Sequence, residues 1–190
     1  MNKYIFASSN NNKILELSHR VPALDIVSLA DIGYREEIIE SGLTLEDNAR
    51  IKARTIYDKY RISCISDDTG LEVDYLQGQP GVLSARYAGA PSDSKKNIIK
   101  ILKAMDGVQN RLARFRTIIC LIDNNEEKFF EGVVEGSISN QLYGDNGFGY
   151  DPIFIPNGYE QTFAQISLQK KNQISHRAKA IEQLVTYLNL

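Results

Sequence analysis

Residues 65–89, ISDDTGLEVDYLQGQPGVLSARYAG, carry the feature that most restricts this chain. An apolar run, residues 62–65 with Cys64, is followed by two adjacent carboxylates, Asp67 and Asp68. The run has the length and composition of a buried strand. Thr69 and Gly70 come next, then a second short apolar stretch, residues 71–73. Two like charges at the mouth of a buried strand repel, so they call for a cation between them or for solvating water. Hard oxygen ligands at a strand end, with a glycine that lets the chain turn away, suit Mg²⁺. A strand ending in an ordinary Asp-Thr-Gly turn is the plainer reading of the same residues.

With 190 residues, 43% of them hydrophobic, the chain fits one good-sized domain, or two lobes sharing a core. The net charge of -2, from 22 basic and 24 acidic residues, offers no broad basic face to a nucleic acid. Phosphate binding must then be local and pocketed. Cys64 and Cys120 each lie in an apolar run and read as reduced core residues. The first residues, MNKYIFASSNNNK, hold too short an apolar run for a signal peptide, and no stretch approaches about 18 apolar residues. A soluble cytoplasmic protein without membrane contact is expected.

From the start, residues 4–7 read as a strand, and Ser8, Ser9, Asn10, Asn11 and Asn12 as a polar loop before Lys13. Ile14, Leu15, Leu17 and Val21 then follow near-helical spacing. A loop at a helix N-terminus is a natural anion seat, with Lys13 as an added charge; a simple capped helix start is the alternative. Residues 24–29 read as a second strand, and residues 30–43 as an irregular acidic segment with Glu40 near its end. Thr44 opens a capping box before a helix that buries Leu45, Ala49, Ala53, Ile56, Tyr57 and Tyr60. Asn48 and Lys52, four apart, share another face of it. Another helix starts at Ser92-Asp93, with Gly107 past its end, and residues 113–138 form a hairpin turning at Asp123-Asn124-Asn125.

Residues 144–152 set three glycines around Phe148 and Tyr150, with Asp145 and Asp151. A flexible loop presenting an aromatic suits stacking on a base, although Phe148 could equally pack inward. A short strand, residues 153–155, follows. Ser175 is a good N-cap for a last helix that buries Ala178, Ile181, Leu184, Val185 and Leu188. His176 and Arg177 then fall in its first turn, where cations oppose the helix dipole. An anion, or a ligand's acceptor oxygens, would account for them.

These same stretches resemble the inosine/xanthosine triphosphate pyrophosphatase family. The likeness runs through SSNNNK, ESGLTLEDNARIKA, SDDTGLEVDYLQGQPGVLSARYAG, GFGYDPIF and KNQISHRA, nearly the whole chain. It implies an α/β fold, elongated and two-lobed, with a central mixed β-sheet flanked by helices and an active-site cleft between the lobes. It implies one domain over residues 1–190 and a homodimer. By position, Asp68 would be the general base and a Mg²⁺ ligand, and Glu40 the second metal carboxylate. The loop from Ser8 through Ser9, Asn10, Asn11 and Asn12 to Lys13, with Lys52 and Thr69, would line the triphosphate. Phe148, Gly149, Tyr150 and Asp151 would hold the base, and Lys171, His176 and Arg177 would complete the base and phosphate contacts. The chain departs from the family pattern at Ser8-Ser9 (usually Thr-Gly), at Asn12 (a lost glycine), at Thr69 (usually Ser) and at Asp47 (usually Glu). None removes a group the chemistry needs.

The expected reaction is hydrolysis of non-standard purine nucleoside triphosphates (ITP, dITP, XTP) between the α and β phosphates, yielding the monophosphate and pyrophosphate. Donors on His176 and Arg177 would pair with the O6 acceptor of hypoxanthine or xanthine. Adenine would leave them unpaired, at about 1–3 kcal/mol per group. The alternatives are a Maf-type pyrophosphatase for modified or pyrimidine triphosphates, and a nucleotide-binding module without catalysis. An RNA-binding module fits least, given the charge of -2.

Overall fold

The computed structural model describes residues 3–190. Among these the chain forms a six-stranded sheet and five α-helices. In order they are β1 (Lys3–Phe6), α1 (Asn11–Arg20), β2 (Asp25–Ser28), α2 (Leu45–Tyr60), β3 (Cys64–Val73) and α3 (Ser94–Ala104). Then come β4 (Leu112–Asp123), β5 (Glu126–Ile138), β6 (Phe154–Pro156), α4 (Leu168–Ile174) and α5 (His176–Leu188). The strand order is β2-β1-β3-β4-β5-β6. β1 is parallel to β2, with Lys3 opposite Asp25, and parallel to β3, with Ile5 opposite Cys64. β5 and β6 are antiparallel, with Ile138 opposite Phe154, so the sheet is mixed and the α/β class expected from the sequence holds.

Local chemistry explains most of these elements. Tyr4, Ile5 and Phe6 are all buried, as a strand covered on both faces requires. Thr44 caps α2 by accepting from the Asp47 N–H at 3.1 Å, while its hydroxyl donates to Asp47 Oδ2 at 2.8 Å. Of the stripe expected on α2, Leu45, Ala49, Ala53, Ile56 and Tyr57 are buried and Tyr60 is half-buried. The hairpin turns at Asn124 (φ 47°) and Asn125 (φ 67°), a two-residue loop of the kind whose backbone twist matches antiparallel strands. Cys64 and Cys120 are buried free thiols.

One expectation needs correction. β3 does not end at its carboxylates: it runs unbroken to Val73, with Asp67 and Asp68 in mid-strand. The reason is that the chain itself supplies their cations, so neither has to emerge into water. The last helix starts directly after Ser175, as expected, and a further short helix, α4, precedes it. Ser167 caps α4 by accepting from the Lys170 N–H at 3.2 Å, and Ser175, extended at φ -68° and ψ 159°, separates α4 from α5.

The chain packs as two compact units. One takes the chain up to Asp68, then residues 117–132 and 177–190; the other takes residues 69–116 and 133–176. The first has its own apolar cluster around Phe6, Leu17, Ile65, Ile119, Ile181 and Leu184. The second is built on Leu71, Ile101, Met105, Phe115, Phe154 and Phe163. No helix of the described residues is long and apolar enough to cross a membrane.

Candidate active site

The first unit contains a buried cluster of charge assembled from β3, α1, α2, α5 and the segment before α2. The loop ahead of α1 is ordered by its own side chains. Ser8 Oγ accepts from the Asn10 N–H at 3.2 Å, and Asn10 Oδ1 accepts from the N–H groups of Asn12 (3.0 Å) and Lys13 (3.4 Å). Asn10 thus caps the helix itself. Ser9, Asn11 and Asn12 are exposed and lie outside the buried cluster. Lys13 turns inward, its Nζ 3.0 Å from Asp67 Oδ1. The other oxygen of Asp67 accepts from Arg177 Nε at 3.1 Å, and Arg177 Nη1 donates to Glu16 Oε2 at 2.5 Å. Asp67 and Arg177 are 1% and 2% exposed, so this chain of charges is withdrawn from water.

Asp68 has a different partner. Lys52 Nζ donates to Asp68 Oδ1 at 3.0 Å and to Glu40 Oε1 at 2.7 Å. The structure therefore brings together Glu40, Lys52 and Asp68 from three separate segments. Asp68 Oδ2 is buried and has no hydrogen-bond partner. Consecutive strand residues turn to opposite faces, which gives two adjacent carboxylates different cations.

Electrostatics separates the two aspartates further. Burial alone would push Asp67 up, but Lys13 and Arg177, helped by Lys52, outweigh it and hold the carboxyl well below the usual carboxylate range. For Asp68 burial wins: it pushes the carboxyl up, and Lys52 and Lys13 offset only part of that. Lys13 is lowered by burial, which Asp67 counters incompletely because Lys52 and Arg177 repel its charge. Burial also works against Lys52, yet Asp68, Glu40 and Asp67 outweigh it and raise the ammonium.

The second unit holds the remaining candidates. Asp151, 2% exposed, accepts from the Phe148 N–H at 2.8 Å and from Lys171 Nζ at 2.7 Å. That ammonium lies 4.6 Å from the centroid of the half-buried Phe148 ring. Asp151 therefore holds both the loop and the lysine. Gly149 is half-buried beside them, and Thr69 is half-buried in β3. Tyr150 turns the other way. It is 4% exposed in the apolar cluster, and its hydroxyl donates to the Ser84 carbonyl at 2.8 Å. Its side chain is thus part of the core, and the ring that the 148–151 loop leaves half-buried is that of Phe148. His176 is buried and stacks on Phe115, with centroids 4.5 Å apart and planes 17° apart.

Comparison with known proteins decides the family. The model of the Ham1 family matches residues 4–187. This chain belongs to the Ham1 family. It is 50% identical over 184 residues to a dITP/XTP pyrophosphatase of Flavobacterium psychrophilum, covering 96% of this chain and 97% of that relative. It is 47% identical over 190 residues to a dITP/XTP pyrophosphatase of Porphyromonas gingivalis, covering 99% and 98%. The solved structure of the Staphylococcus aureus Ham1 protein superposes with a TM-score of 0.92 at 37% identity, covering 99% and 98%.

In this Ham1-family chain the sequence reading missed one member of the charge cluster, Glu16. Its signal was present: Glu16 lies three residues after Lys13, on the same face of α1. Asp67 was noted without a role; it is the hub between Lys13 and Arg177. Arg177 opposes its helix dipole because Asp67 and Glu16, the protein's own carboxylates, supply the anions.

Proposed function

We propose that this chain hydrolyses non-standard purine nucleoside triphosphates, ITP, dITP and XTP, to the nucleoside monophosphate and pyrophosphate. Membership of the Ham1 family and relatives bearing the name dITP/XTP pyrophosphatase support the reading. The observation that carries it is Asp68: a buried carboxylate, raised by burial, one oxygen on Lys52 and the other unpartnered. Such an oxygen is suited to accept a proton or a hard cation.

Mg²⁺ fits that donor set, with Glu40 and Asp68 as the residues that would hold it. Bound there, it would neutralise phosphate charge and make water more acidic. Asp68 takes the proton of the attacking water, and its raised basicity suits the task. Lys13 and Lys52 stabilise charge on the departing pyrophosphate. A homodimer working in the cytoplasm, where the nucleotide pool is, completes the reading.

The test is incubation with ITP and Mg²⁺. The expected products are IMP and pyrophosphate. Release of inorganic phosphate, or binding without cleavage, would overturn the reading, the latter in favour of a nucleotide-binding module. A panel including ATP and pyrimidine triphosphates separates it from Maf-type activity, and light scattering reads the assembly.

A further inference from the structure

We infer that Asn48 is a positioning residue for the proposed hydrolysis, clamping the segment that carries Glu40 onto α2. The inference rests on the reading of Glu40 and Asp68 given above. Asn48 is 0% exposed, one turn before Lys52 on the same helix face. Its Oδ1 accepts from the Gly42 N–H at 2.8 Å. Gly42 sits so close that a Cβ there would lie 2.6 Å from Asn48 Oδ1, 2.6 Å from Asp47 Cβ and 2.9 Å from Asn48 N. Real Cβ atoms do not come that near, so the backbone at 42 is seated directly on the first turn of α2. Two residues earlier, Glu40 meets Lys52 at 2.7 Å, and Lys52 meets Asp68 at 3.0 Å. The clamp and the carboxylate it serves therefore share one short segment and one helix face.

The other half of the amide makes the clamp testable. Asn48 Nδ2 is buried and has no hydrogen-bond partner, so the bonding of this amide runs through its oxygen to Gly42. An aspartate in its place keeps the acceptor and the volume, forfeits a donor that is not in use, and brings a carboxyl whose charged form burial disfavours. Leucine in its place keeps the volume and removes the acceptor: a residue present merely to fill space would tolerate it with exchange at residues 40–43 unchanged, whereas loss of the clamp makes Asn48→Leu behave as Asn48→Ala.

Two readouts decide. Amide hydrogen exchange on the protein alone, without metal or nucleotide, should be at least about tenfold faster at residues 40–43 in Asn48→Ala and within about twofold of wild type in Asn48→Asp. With ITP, Asn48→Ala should need at least about tenfold more Mg²⁺ for half-maximal rate. Its KM for ITP at saturating Mg²⁺ should change less than about twofold, and Asn48→Asp should recover most of the Mg²⁺ response. If Asn48→Ala fails to fold, Gly42→Ala breaks the same clamp from the other side and should show the same pair of changes. Unchanged exchange at residues 40–43 in either variant, or a Mg²⁺ requirement that does not move, overturns the inference. Absence of pyrophosphate release by the wild type would instead overturn the proposed function, while the exchange data would still judge the clamp.

Discussion

Asp67 and Asp68 have the same side chain and adjacent positions, yet their surroundings send them in opposite directions. Asp67, between Lys13 and Arg177, is held ionised; Asp68, with a single lysine and an unpartnered oxygen, is raised. Asparagine at each should therefore fail differently. Asp68→Asn should lower turnover of ITP by roughly 10²–10⁴-fold, the span of a general base, with the circular dichroism spectrum unchanged. Turnover near the wild-type rate would refute its role. Asp67→Asn leaves Lys13 and Arg177 facing a neutral amide in the interior. Breaking one side of a buried ion pair costs about 3–5 kcal/mol, and urea denaturation should show a loss of that order. A loss under about 1 kcal/mol would mean that the hub is not a structural necessity.

At the scale of elements, energetics are local and so is legibility. The Thr44 cap should contribute about 1 kcal/mol, lost in Thr44→Ala and read from the denaturation midpoint. Gly136→Ala should cost more. A Cβ on that β5 residue would lie 2.3 Å from the Ile155 carbonyl oxygen on β6, so the strands would have to separate; a midpoint shift smaller than that of Thr44→Ala would contradict this. The cap, the turn of the hairpin and the stripe on α2 could all be read in the sequence because a few neighbouring residues decide each of them. The continuation of β3 through two aspartates could not. What permits it is Arg177, 110 residues away, and no local pattern carries that information. The inward turn of Tyr150 was hidden for the same reason: its anchor is a carbonyl 66 residues distant. Among site residues, Glu40, Lys52 and Asp68 came from three separate stretches whose resemblance to a family linked them; their contacts to one another belong to the fold alone.

For the whole molecule, the buried charges set the response to acid. Asp67 has a folded-state pKa below its unfolded value, so its contribution is complete above the unfolded value of about 3.9 and is lost as pH falls toward the folded one. Thermal stability should thus be nearly flat from about pH 6 to 8 and fall below about pH 5, with a shallower fall in Asp67→Asn. A wild-type profile no steeper than the variant's would exclude Asp67 as a source of the acid lability. Two lobes were implied by the family resemblance; which separated stretches of chain make up each unit was not readable from a sequence without repeats or linkers. A ribosome adds roughly 5–20 residues per second, so Asp67 emerges many seconds before the guanidinium that will neutralise it has been polymerised. During that interval the nascent β3 carries a carboxylate its eventual interior cannot accept. Until α5 is made, translation keeps this half of the protein from reaching its final form.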